Sequence, residues 1–395
     1  MPDLRIVSPE ESLPQRQAYL QAARRVVVKV GTRNVARPDG TPNEDGIESW
    51  AHQIARLRRW GKQVLLVTSG AVYLGQRVLG REANGALQMR QAAAAVGQPV
   101  LMRYWRRALM EFQLVSAQIL VTADDIGDRR RAIHLRNTVS ALLEAGAVPI
   151  FNENDSVSVE GVTAMDNDRL AASLAGIVGA DLLILLTDQQ GLYTANPARD
   201  ADATLLGLVR WDEVDAVRFV EDRNQPESRG GMLAKVEAAK TAVTCGIPCV
   251  VASGFEPLVI CRLLEGEPLG TFFVPGDRLS SRKSWIASGQ KPAGSLVVDD
   301  GARRALLSPE GGSLLAVGIT EVRGEFGPGD LVAVVDGSSR EIARGLVNYP
   351  SAEVAQIRGA RSEQLADLLG HASHETVIHR DNLVVTPQRK DNDER

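Results

Sequence analysis

Apolar, β-branched runs alternate with helix-like segments from residue 24 to residue 274, and this alternation constrains the fold more than any other feature. The runs predict buried strands at Arg24–Thr32, Lys62–Ser69, Leu114–Val121, Val148–Phe151, Ala180–Asp188, Ile247–Ser253 and Thr271–Val274. The segments between them predict helices at Glu44–Trp60, Leu87–Phe112, Arg130–Glu144, Leu170–Val178 and Leu233–Thr244, with Pro99 as a candidate break in the second. This spacing predicts an α/β domain with a mostly parallel sheet covered by helices on both faces.

Two polar clusters flank the end of the strand that begins at Val148. Asn152–Asp155 follow the strand directly, and Asp166–Asp168 precede the next helix. Ligands of α/β sheets bind at strand carboxyl ends, and helix starts hold anions and their counter-ions. Either cluster alone is equally well explained as an acidic turn that caps a helix. The two clusters together, with the lysines described next, favour a ligand site.

Two lysines and two glycine-bearing turns accompany these clusters. Lys29 lies in a strand of valines, where a buried ammonium group requires a negative partner; the alternative is an edge strand from which Lys29 reaches water. Ser69-Gly70-Ala71 suits either the close approach of backbone amides to an anion or a tight packed turn. Lys235 lies in the first turn of the helix that follows Gly230-Gly231-Met232.

Lysines, glycine-bearing turns and carboxylates are the groups that phosphoryl transfer requires, because cations and backbone amides stabilise the transferred group. The chain contains neither a G-x-x-x-x-G-K-[ST] nor a G-x-G-x-x-G motif, so a nucleotide must bind by another architecture. No Ser/His/Asp set is apparent. A carboxylate acceptor needs no catalytic base, since a carboxyl group with a pKa of about 4.3 is ionised at neutral pH.

The pattern changes near Gly289, where a linker-like stretch is followed by short strands and many turns. The predicted strands are Ser295–Val298, Ser313–Leu315, Leu331–Val335, Glu341–Gly345 and Thr376–His379, and the predicted helices are Ser351–Ile357 and Ser362–Leu369. This density of turns predicts a small barrel-like β domain. We therefore expect an N-terminal extension at 1–23, a catalytic domain at 24–288, a β domain at 289–385 and a polar tail at 386–395.

Composition excludes several classes of protein. A net charge of −4 argues against nucleic-acid binding driven by overall charge. The odd number of cysteines, three, suggests a reducing compartment. Cys245 and Cys249 could pair as metal ligands, but Pro248 between them and the absence of a second Cys/His pair favour core packing. No run of 18 apolar residues or signal core is present, so we expect a cytoplasmic protein without a membrane span.

The chain resembles the glutamate 5-kinases of the amino acid kinase family, including the C-terminal PUA domain that bacterial members often carry. The matching stretches run in family order from about Arg24 to Val385: VVVKVGT (Val26–Thr32), LLVTSGA (Leu65–Ala71), QAAAAVGQ (Gln91–Gln98), VPIFNENDSV (Val148–Val157), DND (Asp166–Asp168), LLTDQQGLYTANP (Leu185–Pro197), GGM with Lys235, SRKSWI (Ser281–Ile286) and HRDNLVV (His379–Val385). The resemblance implies the three-layer amino acid kinase fold and ATP-dependent phosphorylation of the γ-carboxylate of L-glutamate, the first step toward proline.

The resemblance also assigns roles to residues. It places Lys29 and Lys235 on the transferred phosphoryl group, with Asp168 holding both lysines. The implied glutamate-binding residues are Ser69, Gly70, Ala71, Asn152, Asp155 and Asn167, with Asp155 on the ammonium group. The implied ATP-binding residues are Lys29, Gly31, Thr187, Asp188, Arg229, Gly230, Gly231, Met232 and Lys235. Mg²⁺ is expected on the nucleotide phosphates, without a protein ligand set. A homodimer or homotetramer, a glutamyl phosphate reductase partner and feedback by proline are also implied.

Three arginines depart from the family pattern. Arg33 stands where serine is usual, Arg229 replaces a small residue before Gly230, and Arg169 follows the Asp-Asn-Asp motif. They motivate an alternative function, a catalytically weakened regulatory paralogue. A kinase of another small acid is disfavoured by the NENDSV segment. RNA binding through the PUA domain is disfavoured because Ser295–Asp381 contains 8 Lys/Arg against 13 Asp/Glu, a net charge of −5.

Overall fold

The contacts within the chain divide it into two compact units, Met1–Arg278 and Leu279–Arg395. The structure is a computed structural model. It describes residues 6–82, 86–157, 166–195, 197, 200–210, 231–276, 279–287, 292–308, 311–370 and 374–386. Residues 288–291, which include the start of the linker-like stretch near Gly289, and residues 387–395 of the predicted tail fall outside these ranges.

The first unit is built on one sheet that, in the described residues, has eight strands in the order β3-β4-β2-β1-β5-β7-β8-β6. The strands are β1 Arg25–Val30, β2 Gln63–Thr68, β3 Ser116–Val121, β4 Val148–Glu153, β5 Leu182–Thr187, β6 Leu208–Arg210, β7 Cys249–Ser253 and β8 Thr271–Val274. Neighbours pair in parallel except β7 and β8. The central strands are almost wholly buried because Val, Ile and Leu occupy both of their faces. The predicted α/β class is confirmed.

Helices follow most strands, and the five predicted helices are among them; the short helices Thr32–Val35, Ala123–Gly127 and Val259–Glu265 and the strand β6 were not predicted. The helices of the first unit are α1 Leu13–Ala22, α2 Thr32–Val35, α3 Glu44–Arg59, α4 Ala71–Leu79, α5 Leu87–Met110, α6 Ala123–Gly127, α7 Arg129–Glu144, α8 Asn167–Val178, α9 Met232–Thr244 and α10 Val259–Glu265. Helix α3 is a clear example, because its buried Ile47, Ile54 and Leu57 recur at helical spacing along one face.

Helix α5 is continuous through Pro99, so the candidate break there is wrong. A proline inside a helix costs about 3 kcal/mol because it removes a hydrogen bond and crowds the preceding turn. Tight packing against α4 opposes that cost. A Cβ atom added at Gly97 would lie 1.8 Å from the carbonyl oxygen of Ala71, and one added at Gly75 would lie 1.8 Å from that of Ala93. Two glycines therefore allow the helix backbones to touch.

The N-terminal extension packs on the first unit through α1. Leu20 and Arg16 on this helix are fully buried. Arg16 Nη2 donates a hydrogen bond to the carbonyl oxygen of Leu269 at 2.5 Å, and its guanidinium group lies over the Phe272 ring. Burial lowers the pKa of Arg16 to about 10. The extension thus contributes side chains to the core next to β8.

The second unit has its own core and a five-stranded sheet in the order β10-β9-β11-β12-β13. Its strands are β9 Gly294–Val298, β10 Ile319–Gly324, β11 Leu331–Val335, β12 Glu341–Leu346 and β13 Leu383–Val385. Its helices are α11 Ser281–Ala287, α12 Asp300–Leu307, α13 Ser351–Ile357 and α14 Leu365–Leu369, with short 3₁₀ turns between elements. The pairs are antiparallel except β9 with β11.

Details of this unit differ from the prediction. Helices α11 and α12 and strands β10 and β13 were not predicted. The predicted strands Ser313–Leu315 and Thr376–His379 meet only in a single bridge between Leu314 and Ile378. Strand β10 has polar residues at half of its positions and is largely exposed, so it lacks a hydrophobic alternation that the sequence could reveal.

Cys245, Cys249 and Cys261 in the first unit are buried free thiols. No helix among the described residues is long and apolar enough to cross a bilayer.

Candidate active site

The carboxyl ends of four neighbouring parallel strands border one cleft. Strands β4, β2, β1 and β5 are consecutive in the sheet, so the residues that follow them meet at one edge. A cleft of about 930 Å³ opens there. It is lined by loops after these strands and by the first turns of α4, α5, α8 and α9.

Two lysines converge on one buried aspartate at the floor of the cleft. Lys29 Nζ lies 2.7 Å from Asp168 Oδ1, and Lys235 Nζ donates to Asp168 Oδ2 at 3.0 Å. The two lysine side chains are each 8% exposed and that of Asp168 is 2% exposed. Lys29 comes from β1, Asp168 from the first turn of α8 and Lys235 from that of α9. The three charges sum to +1, which suits a site for a polyanion.

Burial and the two lysines shift the pKa of Asp168 in opposite directions. Burial alone would raise the pKa of its carboxyl group, but Lys29 and Lys235 outweigh it and hold this pKa below its ordinary value. At Asp166 the same two lysines lower the pKa less than its surroundings raise it. Burial first, and the nearby Asp168 second, raise the pKa of Asp166. Asp166 caps helix α8 by accepting a hydrogen bond from the backbone N–H of Asp168.

A chain of amides connects the loops beside this cluster. Asn167 Nδ2 donates to Ser69 Oγ at 2.9 Å and to Asn152 Oδ1 at 3.0 Å. Asn152 Nδ2 in turn donates to Gln98 Oε1 of α5 at 2.9 Å. Asn167 Oδ1 is buried and accepts no hydrogen bond from the residues that the structure describes. This acceptor is therefore available to a donor on a ligand.

The outer part of the cleft carries a carboxylate and a guanidinium group. Asp155 is half-buried after β4, and Arg90 lies in the first turn of α5 with an exposed side chain. Both line the cleft. Burial raises the pKa of Asp155, while the positive charge of Arg90 opposes this rise. Asp155 and Arg90 are therefore close enough to influence each other electrostatically.

The opposite rim lies at the end of β5 and the start of α9. Arg33 pairs with Asp188 there, with the two side chains 78% and 41% exposed. Thr187 Oγ1 also donates to Asp188, at 3.2 Å. Gly231 precedes Met232 at the N-terminus of α9, where free backbone N–H groups and the helix dipole favour an anion.

The cleft brings the predicted site residues together. Those within the described part of the chain that line it are Lys29, Gly31, Ser69, Gly70, Ala71, Asn152, Asp155, Asn167, Asp168, Thr187, Asp188, Gly231, Met232 and Lys235. Arg229 and Gly230 lie outside the described residues. Arg169 is exposed and does not line the cleft.

Sequence reasoning missed several residues of the cleft wall. Tyr73, Gln76 and Arg90 line it, and Gln98 supports Asn152 from behind. Tyr73 and Gln76 follow Gly70 at helical spacing, so the Ser69-Gly70-Ala71 turn offered a signal for them. Gln98 ends the QAAAAVGQ stretch that resembles the family, but no local pattern placed it or Arg90 beside the strand ends, because their helix is remote from those ends in sequence.

No group of three or more His, Cys, Asp or Glu side chains among the described residues could hold a metal ion. Asp166 and Asp168 are close together, but both oxygens of Asp168 already contact lysines. The described residues therefore do not fit a metal ion held by protein ligands alone.

Comparison with known proteins gives the family. A model of the amino acid kinase family matches residues 24–253, and a model of the PUA domain matches residues 294–369. The chain belongs to the amino acid kinase family.

Similar family members include proteins named glutamate 5-kinase. That of Trichlorobacter lovleyi is 45% identical over 373 residues, which are 94% of this chain and 99% of the relative. That of Moorella thermoacetica is 42% identical over 93% of this chain and 97% of the relative, and that of Nitrosospira multiformis is 41% identical over 93% and 100%. The similarity to these kinases therefore extends through both units.

Proposed function

We propose that the protein transfers the γ-phosphoryl group of ATP to the γ-carboxylate of L-glutamate, giving L-glutamyl 5-phosphate for proline biosynthesis. The observation that carries this proposal is the buried Lys29–Asp168–Lys235 cluster on the floor of a cleft at the strand ends. The name shared by relatives of nearly equal length supports glutamate as the acceptor.

In the reaction, an oxygen of the γ-carboxylate forms a bond to the γ-phosphorus. The bond between this phosphorus and the β–γ bridging oxygen breaks, and ADP leaves with that electron pair. Lys29 and Lys235 neutralise the negative charge on the phosphoryl oxygens, where their contribution is greatest in the transition state. Asp168 is a positioning residue, since it holds both ammonium groups toward the cleft.

Glutamate would occupy the side of the cleft near β2 and β4. Its ammonium group would bind Asp155, and its other polar atoms would meet Ser69, Asn152 and Asn167. The unpaired Oδ1 of Asn167 supports this assignment, because a buried acceptor without a donor is costly in the absence of a ligand. The Gly70-Ala71 turn would contribute backbone amides at the start of α4.

ATP would occupy the side near β5 and α9. Gly31, Thr187, Asp188 and the Arg229–Lys235 segment would bind it, with phosphates at the N-terminus of α9. Mg²⁺ would bind on the phosphate oxygens and neutralise charge there, because the described residues offer no complete ligand set. Arg33 would add a cation beside the phosphates once it leaves Asp188.

A catalytically weakened paralogue is not favoured. Two of the three arginines that motivated it can be placed: Arg33 lies at the rim and Arg169 lies outside the cleft wall. Neither displaces Lys29, Asp168 or Lys235. The similarity to glutamate 5-kinases also supports, as proposals, a homodimer or homotetramer, a cytoplasmic location, transfer of the acyl phosphate to a glutamyl phosphate reductase and feedback inhibition by proline.

Trapping the acyl phosphate with hydroxylamine tests the proposed function. The protein is incubated with ATP, Mg²⁺ and hydroxylamine, and hydroxamate is measured with L-glutamate, L-aspartate or N-acetylglutamate as acceptor. We expect hydroxamate with L-glutamate alone, in proportion to ADP. Folded protein that forms no hydroxamate with glutamate would overturn the proposal. Hydroxamate formed with one of the other acceptors would identify that acceptor as the substrate instead.

A further inference from the structure

The head group of glutamate carries two opposite charges, and the proposed function gives a protein partner to only one of them. An α-ammonium and an α-carboxylate group are attached to one carbon, so a matching site places an anion and a cation side by side. Asp155 supplies the anion. The α-carboxylate group needs its own partner, because an unpaired charge taken from water is costly.

The described residues place four cationic side chains on the cleft wall: Lys29, Arg33, Arg90 and Lys235. Both lysines are directed to Asp168 at the phosphoryl position. Arg33 pairs with Asp188 at the nucleotide rim. Arg90 is the cation at the end of the cleft that contains Asp155.

The fold holds Arg90 near Asp155. Arg90 is in the first turn of α5, and Gln98 of the same helix bonds Asn152 at the end of β4, three residues before Asp155. The helix and the loop are thereby fixed to each other. The electrostatic effect of Arg90 on Asp155 agrees with this proximity. An Asp/Arg pair at a cleft opening is the charge complement of a zwitterion.

We propose that Arg90 binds the α-carboxylate group of the amino-acid substrate, beside Asp155 on its ammonium group, and so selects α-amino acids over simpler ω-carboxylic acids. This inference rests on the proposed function. A guanidinium group suits the role because it binds a carboxylate through two parallel hydrogen bonds. In the complex the ammonium group would face Asp155 and the α-carboxylate group would face Arg90, so that each charge of the head group meets an opposite charge.

Two truncated acceptors separate the contributions of Arg90 and Asp155. The compound 4-aminobutanoate keeps the reacting carboxylate and the amino group but lacks the α-carboxylate, whereas glutarate lacks the amino group. Steady-state kcat/KM is measured with glutamate and both analogues for wild type, Arg90→Ala, Arg90→Lys and Asp155→Asn. Arg106→Ala is the matched control, because Arg106 is exposed on the same helix outside the cleft wall.

For Arg90→Ala we expect kcat/KM with glutamate to fall about 10- to 100-fold, the worth of a charge-assisted hydrogen-bonded pair. With 4-aminobutanoate it should change by less than about twofold, since the lost group has no partner there. The preference for glutamate over glutarate should survive in Arg90→Ala and fall in Asp155→Asn. Arg90→Lys should be intermediate, and the KM for ATP should stay constant.

An equal loss of kcat/KM with glutamate and with 4-aminobutanoate in Arg90→Ala would overturn the assignment. So would an unchanged kcat/KM with glutamate. Inactivity of the wild-type protein with glutamate would instead refute the proposed function, which the hydroxamate assay detects independently. Circular dichroism of each variant separates misfolding from a specific loss, and Arg90→Lys provides a charged replacement if the alanine variant fails to fold.

Discussion

The two places where ion pairs border the cleft differ in how deeply the charges are buried. At the floor, the side chains of Lys29, Asp168 and Lys235 are 8%, 2% and 8% exposed. At the rim, those of Arg33 and Asp188 are 78% and 41% exposed. Water screens the rim pair, whereas each floor charge depends on its partners. The same chemical groups should therefore matter very differently at the two positions.

Removing the shared anion at the floor should have the largest effect. Asp168→Asn leaves two buried ammonium groups without a counter-charge and should lower the free energy of unfolding by about 3 kcal/mol. Turnover should fall about 10³-fold, because both lysines lose their position. Urea denaturation and the steady-state kcat measure the two effects.

Asp45→Asn is the matched control for Asp168→Asn. Asp45 pairs with Arg37 and its side chain is 87% exposed, so the same amide substitution should cost at most about 1 kcal/mol there. Equal losses of unfolding free energy in Asp45→Asn and Asp168→Asn would contradict the contrast between buried and exposed pairs.

The contribution of Asp168 to stability should also depend on pH. Since its pKa lies below the ordinary value near 3.8, the stabilisation is present above that pH and is lost as pH falls through the lowered pKa.

Asp155 lies between these extremes, half-buried at the cleft opening. Asp155→Asn should raise the KM for glutamate about 10- to 100-fold and leave the KM for ATP unchanged, because the charged partner of the ammonium group is lost. Equal increases in both KM values would contradict its assignment to glutamate.

The pH profile provides a second test of Asp155. Burial raises its pKa, so the ionised form needed for the ammonium group is lost at a higher pH than for an exposed aspartate. In the wild type the KM for glutamate should therefore rise as pH falls toward this raised pKa. Asp155→Asn should not show this rise, and a profile identical to the wild type would assign the dependence to another group.

The smallest effect is expected at the rim. Arg33→Ser removes one exposed cation beside the proposed phosphate path and should raise the KM for ATP by no more than about fivefold, with kcat nearly unchanged. Arg37→Ser, which breaks an exposed pair outside the cleft wall, should leave both parameters at their wild-type values. If Arg33→Ser lost as much kcat as Asp168→Asn, solvent exposure would not determine how much these ion pairs contribute to catalysis.

The sequence predicted the first unit well because its strands are continuous apolar runs whose polar ends coincide with the cleft. Lys29 illustrates this, since a lysine among valines required a buried anion, and Asp168 is that anion. The continuity of α5 through Pro99 could not be predicted, because it depends on packing at Gly75 and Gly97 between two helices.

The second unit was less accessible to the same reasoning. Its strands are short and partly exposed, so periodicity missed β10 and α12, and the PUA assignment came from resemblance. Within the site, Arg90 lines the cleft and Gln98 contacts Asn152, both from a helix whose sequence shows only core-facing and solvent-facing positions. Their proximity to β4 is a property of the tertiary structure, and no local pattern encodes it.

The most direct test of the central claim is the single-turnover rate of phosphoryl transfer at saturating ATP and glutamate in Lys235→Ala. Lys240→Ala on the same helix, which does not line the cleft, controls for the helix substitution. We predict that the rate falls about 10³-fold in Lys235→Ala and stays near wild type in Lys240→Ala, because the Lys235 charge acts chiefly in the transition state. A folded Lys235→Ala protein with a near-normal rate would contradict the account.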